Sequence, residues 1–296
     1  MKQLRGSLLL LLTAMIWGAA FVAQSVGMDH VGPYTFLFTR SVLGALVLLP
    51  VIYFRDKKGK KEKQPEQNKT LLIGGICCGG ALFVASILQQ IGIQETTAGK
   101  AGFLTAMYMI LVPIVGLFFG KRPGIKLWGA VAVALVGMYF LCLYGADLGS
   151  INRGDLFEIA CAVGFTVQIL FVDYYSPRVD GVKLSCMQFA VCGILAFVGM
   201  LIFESPTLGD IWAAALPIAY AGILSSGVGY TLQIVAQKDT DPTVASLLMS
   251  LESVFSLIFG WIILKEAMSG IELLGCGLMF AAIIWVQLPE RKKKQG

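Results

Sequence analysis

Apolar residues fill this chain in ten blocks: 6–27, 33–54, 71–93, 97–119, 125–144, 154–174, 182–203, 211–236, 242–264 and 271–288. Each is close to the roughly 20 residues that a helix needs to cross a ~30 Å hydrocarbon core. Most breaks are short and carry turn chemistry, as in "MDHVGP", "GKRPG" and "GADLGSINRG". One break differs: residues 55–70, "RDKKGKKEKQPEQNKT", are densely charged and predict a floppy loop. The first block is too long, and too plainly part of a repeating array, for a cleaved signal peptide. The pattern predicts an all-α integral membrane protein with ten transmembrane helices.

The array repeats itself. "LQQIGIQETTAGKAGFLTAMYMILVPIVGLFFGK" resembles "LQIVAQKDTDPTVASLLMSLESVFSLIFGWIILK", which sets Gln89 opposite Gln233, Gly116 opposite Gly260 and Tyr108 opposite Glu252. A slightly larger shift sets Gly6 opposite Gly154 and Gly44 opposite Gly193. Residues 1–144 and 153–288 then form two repeats of five spans, followed by a basic tail at 289–296. Five is odd, so the second repeat enters the membrane the other way up. Inverted repeats around a midplane site are a transporter architecture, because they supply two nearly equivalent packings, one open to each side. An old duplication kept for packing alone would leave the same pattern.

Composition and charge refine this picture. Only 14% of residues are charged and 57% are hydrophobic, against roughly 25% charged in soluble domains. The net charge of +5 is too mild to suggest nucleic acid. Lys and Arg gather on one side of the array: Lys2, Arg5, the 55–70 loop, Lys121, Arg122, Lys126, Arg178, Lys183, Lys238 and the tail. The other side holds Lys100, Arg153 and Lys265. Positive charge stays cytoplasmic, which puts both termini of this multi-pass chain inside the cytoplasmic membrane and Asp29 and His30 outside. The seven cysteines all lie in apolar runs, and their odd number argues against a disulfide framework. The sole histidine is His30 and no Cys-x-x-Cys occurs, so no metal is expected. No Walker loop or other cofactor motif is present, and no nucleophile–base pairing suggests an enzyme.

Several motifs fit a known family. "WGAAF" in the first span, Arg40 and Gly44 in the second, and "PTVASLLMSLESVFSLIFGWIILKEAMSGIELLGCGLMFAAII" near the end resemble the EamA type of the drug/metabolite transporter superfamily. The resemblance covers essentially the whole chain. It implies ten-helix carriers of small organic metabolites, often exporters, with a central cavity between the halves. The chain departs from the family pattern in having Glu252–Ser253 where Glu-Pro is frequent. It also has Lys121–Arg122 where an acidic residue usually ends the first repeat.

Candidate site residues follow from depth and polarity. Glu252 lies about 15 Å along its span at 1.5 Å per residue, near the middle of the hydrocarbon. A charged carboxylate facing lipid there is very costly, so it is expected to face a bundle interior or wet cavity. Withdrawal from water favours a carboxyl's neutral form, so Glu252 can exchange a proton, attract a cation, or simply bond to a neighbouring helix. Ser250, Ser253 and Ser256 give it polar company in sequence. Arg40 lies about 10 Å from the outer end of its span. It is expected to snorkel outward as an anchor or to pair with a buried acid. Trp17, Phe21 and Gln24 share a face of the first helix. Gln89 or Gln90 with Ser86 does so on the third, and Tyr230, Gln233 and Gln237 on the eighth; Gln168 stands alone on the sixth. These amides serve either as interhelical glue or as the lining of a cavity for an amphipathic or zwitterionic solute. Asp155, Glu158, Asp173 and Glu272 lie near helix ends and are expected to be wet.

The sequence thus predicts a secondary transporter for a small organic metabolite, working by alternating access between two inverted repeats around a central cavity. Amino-acid-like solutes lead and cationic solutes follow, with protons as a coupling ion through Glu252. Export rests on the family resemblance. The chain is expected as a monomer or homodimer. The alternative is a lipid-linked flippase or an accessory protein with no soluble substrate. Sidedness is testable by cysteine labelling. A cysteine at Asp29 is expected to react from outside the cell, and one at Lys60 only after permeabilisation; the reverse pattern overturns the orientation.

Overall fold

In hydrocarbon every backbone N–H and C=O must be satisfied within the chain, and helices do this locally. The computed structural model describes residues 2–58, 65–95, 98–144, 152–264 and 269–288, and these are overwhelmingly helical. In chain order the helices are α1 (Lys2–Met28), α2 (Pro33–Lys58), α3 (Pro65–Glu95), α4 (Ala98–Thr105), α5 (Tyr108–Phe118), α6 (Ile125–Cys142) and α7 (Arg153–Tyr175). There follow α8 (Gly181–Phe203), α9 (Leu208–Ala213), α10 (Ala215–Ala219), α11 (Thr231–Gln237), α12 (Pro242–Met249), α13 (Glu252–Phe259) and α14 (Gly270–Gln287). Tyr220–Tyr230, between α10 and α11, and Gly260–Leu264, after α13, are wound as π-helix. Among the described residues nine helical stretches are long and apolar enough to cross a membrane, and the shorter apolar helix Ile125–Leu141 supplies the fifth span. The fourth span is α4 with α5, and the ninth is α12 with α13.

Helix starts follow local chemistry. Asn152 with Asp155, and Ser269 with Glu272, form reciprocal capping boxes at α7 and α14. Asp241 caps α12, whose first residue is Pro242. Asp180 caps α8. The cap of α2 comes from far along the chain: Glu204 accepts from the backbone of Tyr34 and Thr35, each at 2.8 Å, and from Thr35 Oγ1 at 2.6 Å. A carboxylate at this end also opposes the positive pole of the helix.

The predicted floppy loop at 55–70 is corrected by the structure. α2 continues to Lys58 and α3 begins at Pro65, so much of the charged stretch is helix extending past the apolar core. Lys, Glu and Gln are good helix formers and Pro suits a first turn. Residues 59–64, Lys265 and the basic tail from residue 289 lie outside the described residues. The expectation of wet acids is corrected at two positions. Asp155 and Glu158 are buried, because α3 and α4 pack over the start of α7. Asp173 meets Lys121 at 2.5 Å, which ties the end of the fourth span to α7.

Packing displays the inverted repeat. α1 lies against the eighth and ninth spans, while α7, its counterpart, lies against the third and fourth. α2 crosses α8, and α6 crosses α14, each pairing a span with its own counterpart. The helix ends sort into two sets. On one side Ser7 bonds Gln287 at 2.9 Å, Arg55 meets Asp180 at 3.0 Å and Lys183 meets Asp56 at 2.7 Å. On the other, Glu204 holds α2 and Asn152 bonds the Glu95 carbonyl at 2.9 Å. One apolar core runs through both halves. Apolar side chains such as Ile194, Ile202, Leu274 and Ile284 point outward, as lipid contact requires.

The α6–α14 crossing depends on two glycines. A Cβ on Gly275 would sit 2.6 Å from the Gly137 carbonyl oxygen, and one on Gly137 would sit 2.8 Å from that of Gly275. Small residues at such crossings let backbones approach, which replaces the hydrophobic drive that lipid removes. Gly275→Ala is expected to destabilise the protein by about 1–3 kcal/mol, seen as a lower thermal midpoint in detergent. Gly277→Ala, where a Cβ meets nothing within 4 Å, is expected to leave the midpoint unchanged.

Candidate functional site

The two helices that carry Tyr108 and Glu252 break at the same place. α4 ends at Thr105 and α5 begins at Tyr108; α12 ends at Met249 and α13 begins at Glu252. In both breaks the backbone tightens into bonds of three-residue spacing, Met107 to Leu104 in one and Leu251 to Leu248 in the other. No proline sits in either break. In the ninth span the hydroxyls of Ser246 and Ser250 bond back to the carbonyls of Thr243 and Leu247, at 2.9 and 2.8 Å. Such back-bonding bends helices and supplies the interruption without the family's Glu-Pro. Ser250, Ser253 and Ser256 accompany Glu252 in the ninth span, with their hydroxyls donating to backbone carbonyls.

The breaks bring Tyr108 and Glu252 together. Tyr108 Oη donates to Glu252 Oε1 at 2.9 Å across a sequence separation of 144, so the bond joins the repeat-related positions. Both side chains line a narrow cavity between the halves, of about 450 Å³ only when the space open to solvent is included. Trp17, Phe21, Gln24, Arg40, Gln89, Gln168, Tyr230 and Gln233 line it as well. Ten of the residues named from the sequence therefore face one cavity. Trp17 and Tyr230 form an aromatic wall with ring centroids 4.5 Å apart, and Phe189 meets Tyr230 edge-on at 5.4 Å. Gln233 donates to Gln168 at 3.2 Å, and Gln168 to Gln188 at 3.4 Å. The eighth span reaches the cavity through its π-wound segment, with Ser225 in the lining; π-helical turns gather at functional sites.

Arg40 departs from both expectations. It neither snorkels nor pairs with an acid. It is 4% exposed, lines the cavity, and donates Nη1 to Gln24 Oε1 at 3.0 Å. Gln90 donates to the same oxygen. Neighbouring α1 and α3 thus hold the side chain sideways, into the bundle. Among the described residues no carboxylate lies within 4.0 Å of it. The glutamine stripes divide. Gln24, Gln89, Gln168 and Gln233 line the cavity, while Gln237 bonds the Ile169 carbonyl at 3.2 Å and acts as glue.

Sequence reasoning missed Phe165, Ile169, Met249 and Ser225 in the cavity wall, and Glu158 beside it. Glu158 is fully buried; its Oε2 accepts from Thr105 Oγ1 at 2.7 Å while Oε1 has no partner. Thr105 in turn accepts from Gln89 at 3.5 Å. A signal was present: Glu158, Cys161, Phe165 and Gln168 recur at helical spacing on one face of the sixth span.

A cavity of aromatic, apolar and amide side chains with one arginine and one carboxyl, set among ten membrane-crossing helices, fits the class of membrane transporters. Its substrate is a small molecule and its surroundings are the lipid bilayer. The chain belongs to the EamA-like transporter family, whose profile matches residues 4–143 and again 152–288. Among its relatives is the threonine/homoserine exporter RhtA of Escherichia coli (strain K12), 28% identical over 295 residues that cover 97% of this chain and 92% of the relative. An uncharacterized transporter of Archaeoglobus fulgidus is 28% identical over 292 residues, covering 97% and 87%. A solved crystal structure, 18% identical, superposes with a TM-score of 0.78 and covers 95% of this chain and 96% of that one. At that identity the likeness concerns the fold alone.

Thr105 supplies the one hydrogen bond to the Glu158 carboxyl. Thr105→Val keeps the shape and leaves both oxygens without a protein partner, so it is expected to cost about 1–3 kcal/mol. Thermal unfolding in detergent checks this, and an unchanged midpoint would show that Glu158 finds other partners.

Proposed function

We propose that this transporter exports a small amino-acid-like metabolite across the cytoplasmic membrane by alternating access, with Glu252 changing protonation during the cycle. The observation that carries the reading is the Tyr108–Glu252 hydrogen bond in the cavity wall. It links the two repeats at their related midpoints, where both helices are interrupted. Movement of the group formed by α1 with the eighth and ninth spans against the group formed by α7 with the third and fourth would make and break that bond. A carboxyl that loses its phenol partner and meets water in one state changes its proton affinity between states. That is the condition for coupling solute movement to a proton gradient.

The name of the Escherichia coli relative, a threonine/homoserine exporter, supports both the outward direction and the amino-acid-like class. The aromatic and amide walls agree with it, since such a lining suits a solute with apolar and polar parts. The excess of Lys and Arg on the side of Ser7 and Gln287 supports cytoplasmic termini in an inner membrane. A monomer is sufficient for this mechanism, because one chain encloses the cavity; a homodimer is compatible with it.

Glu252→Gln keeps volume and hydrogen bonding but removes titration. In proteoliposomes loaded with labelled L-threonine or L-homoserine, the variant is expected to lose accumulation driven by a pH gradient and to retain counterflow exchange. Uphill transport with an unchanged pH profile would reduce Glu252 to interhelical glue. Loss of substrate binding at every pH would make the carboxylate a ligand for the substrate's cationic group and remove the support for proton coupling.

A further inference from the structure

The cavity contains a guanidinium and a carboxyl that do not meet. Arg40 has five N–H donors, of which one is used, on Gln24. Its Nε is buried without a partner. Glu252 is 6% exposed and accepts one bond, from Tyr108. Among the described residues neither has a counter-ion within 4.0 Å. Tyr230 lines the same cavity as both. The other ionisable groups near Arg40 and Glu252 are the thiols of Cys192 and Cys161 and the phenol of Tyr108, none of which is a carboxylate or an ammonium.

A buried guanidinium without an anion is costly, and removal of water makes it more so. Protein folds settle that cost with a carboxylate on a neighbouring helix. This one leaves the guanidinium facing a cavity, with Gln24 fixing one edge and Gln90 fixing Gln24. The remaining planar fork matches a carboxylate in geometry, which an ammonium in its place would not.

We infer that Arg40 is the carboxylate-binding residue of the cavity and that Glu252 receives the ammonium, so the preferred ligand is a zwitterion held between them. This rests on the amino-acid-like reading above and deepens it. Neither half of such a ligand alone supplies both missing counter-charges. A zwitterion supplies both, adds no net charge to the low-dielectric interior, and places its side chain against Trp17 and Tyr230.

Binding to the full-length protein in detergent, by calorimetry, tests this with L-threonine, its decarboxylated counterpart 1-aminopropan-2-ol, its deaminated counterpart 3-hydroxybutyrate, and inorganic phosphate. The unaltered protein is expected to prefer threonine over either half-molecule by roughly tenfold or more. Arg40→Gln is expected to weaken threonine by a similar factor, down to the affinity of the amine, while leaving the amine unchanged. Arg40→Lys is expected to restore threonine binding only in part. If threonine binds well and Arg40→Gln weakens threonine and amine equally, or neither, Arg40 is a structural residue and the inference fails while the amino-acid reading stands. If the unaltered protein binds the amine as well as threonine, the inference fails without reference to any variant. If it binds phosphate and no amino acid, both readings fall and the site takes an anionic solute.

Discussion

Hydrocarbon offers no hydrogen bonds, and that single constraint organises this protein. A polar side chain inside a span must find a partner on another helix or face a space that holds water or ligand. The chain places an arginine, two carboxyl groups and a set of glutamines deep within its spans, and all of them turn inward. Their partners lie on other helices: Gln24 joins α1 to α2 and α3, Gln233 joins α11 to α7, and Tyr108 joins α5 to α13. The same bonds that satisfy these groups therefore define which helices are neighbours. Some of the buried atoms that lack a partner among the described residues, Trp17 Nε1, Arg40 Nε and Gln233 Oε1, belong to residues that line the cavity; others, such as Ser226 Oγ and Gln237 Oε1, do not.

The ends of the bundle are held by a different kind of contact. α2 and α8 are repeat counterparts, and their crossing is tied at both ends. Glu204, just past the end of α8, caps the start of α2; Arg55 and Asp56, near the end of α2, meet Asp180 and Lys183 at the start of α8. The two clasps differ in strength. Glu204 accepts two backbone bonds and one hydroxyl bond, and these fix it to a helix start. The ion pairs at the other end are partly exposed, where such pairs contribute little.

Much of this was legible in the sequence because membrane physics leaves few alternatives. Block length located the ten spans, an odd number of spans per repeat required inversion, and depth singled out Glu252. The cavity residues were legible for the same reason: an aromatic or amide deep in a span has few places to go. What pattern could not show was direction within a helix. Arg40 sat near enough to the outer end to snorkel, and only the position of Gln24 on α1 turns it inward. Glu158 was read as wet because it lies five residues into its helix; the packing of α3 and α4 over that end buries it. The charged 55–70 stretch looked unstructured because charge there reports solvent and says nothing of helix propensity. The breaks at 106–107 and 250–251 were hidden because neither contains a proline; the ninth span has back-bonded serines and the fourth has no serine at all.

Symmetry explains why a few residues matter more than the rest. In a perfectly repeated chain, the inward-open and outward-open packings would be equal in energy apart from the asymmetry of the membrane itself. Preference for one state, and any coupling between state and ligand, must come from positions where the repeats differ. The bond between Tyr108 and Glu252 is such a position: the same backbone break, at related sites, presents a phenol from one half and a carboxyl from the other. Glu158 is a second, since the offset that matches Gly6 with Gly154 sets Leu10 opposite it, and both are fully buried. One half thus carries an acid where the other carries a hydrocarbon. The packing of the helices can be shared between the halves, but the chemistry of the cycle has to reside in these differences. In the reading proposed above, the carboxyl groups are the ones that would express it, since each changes charge by gaining or losing one proton.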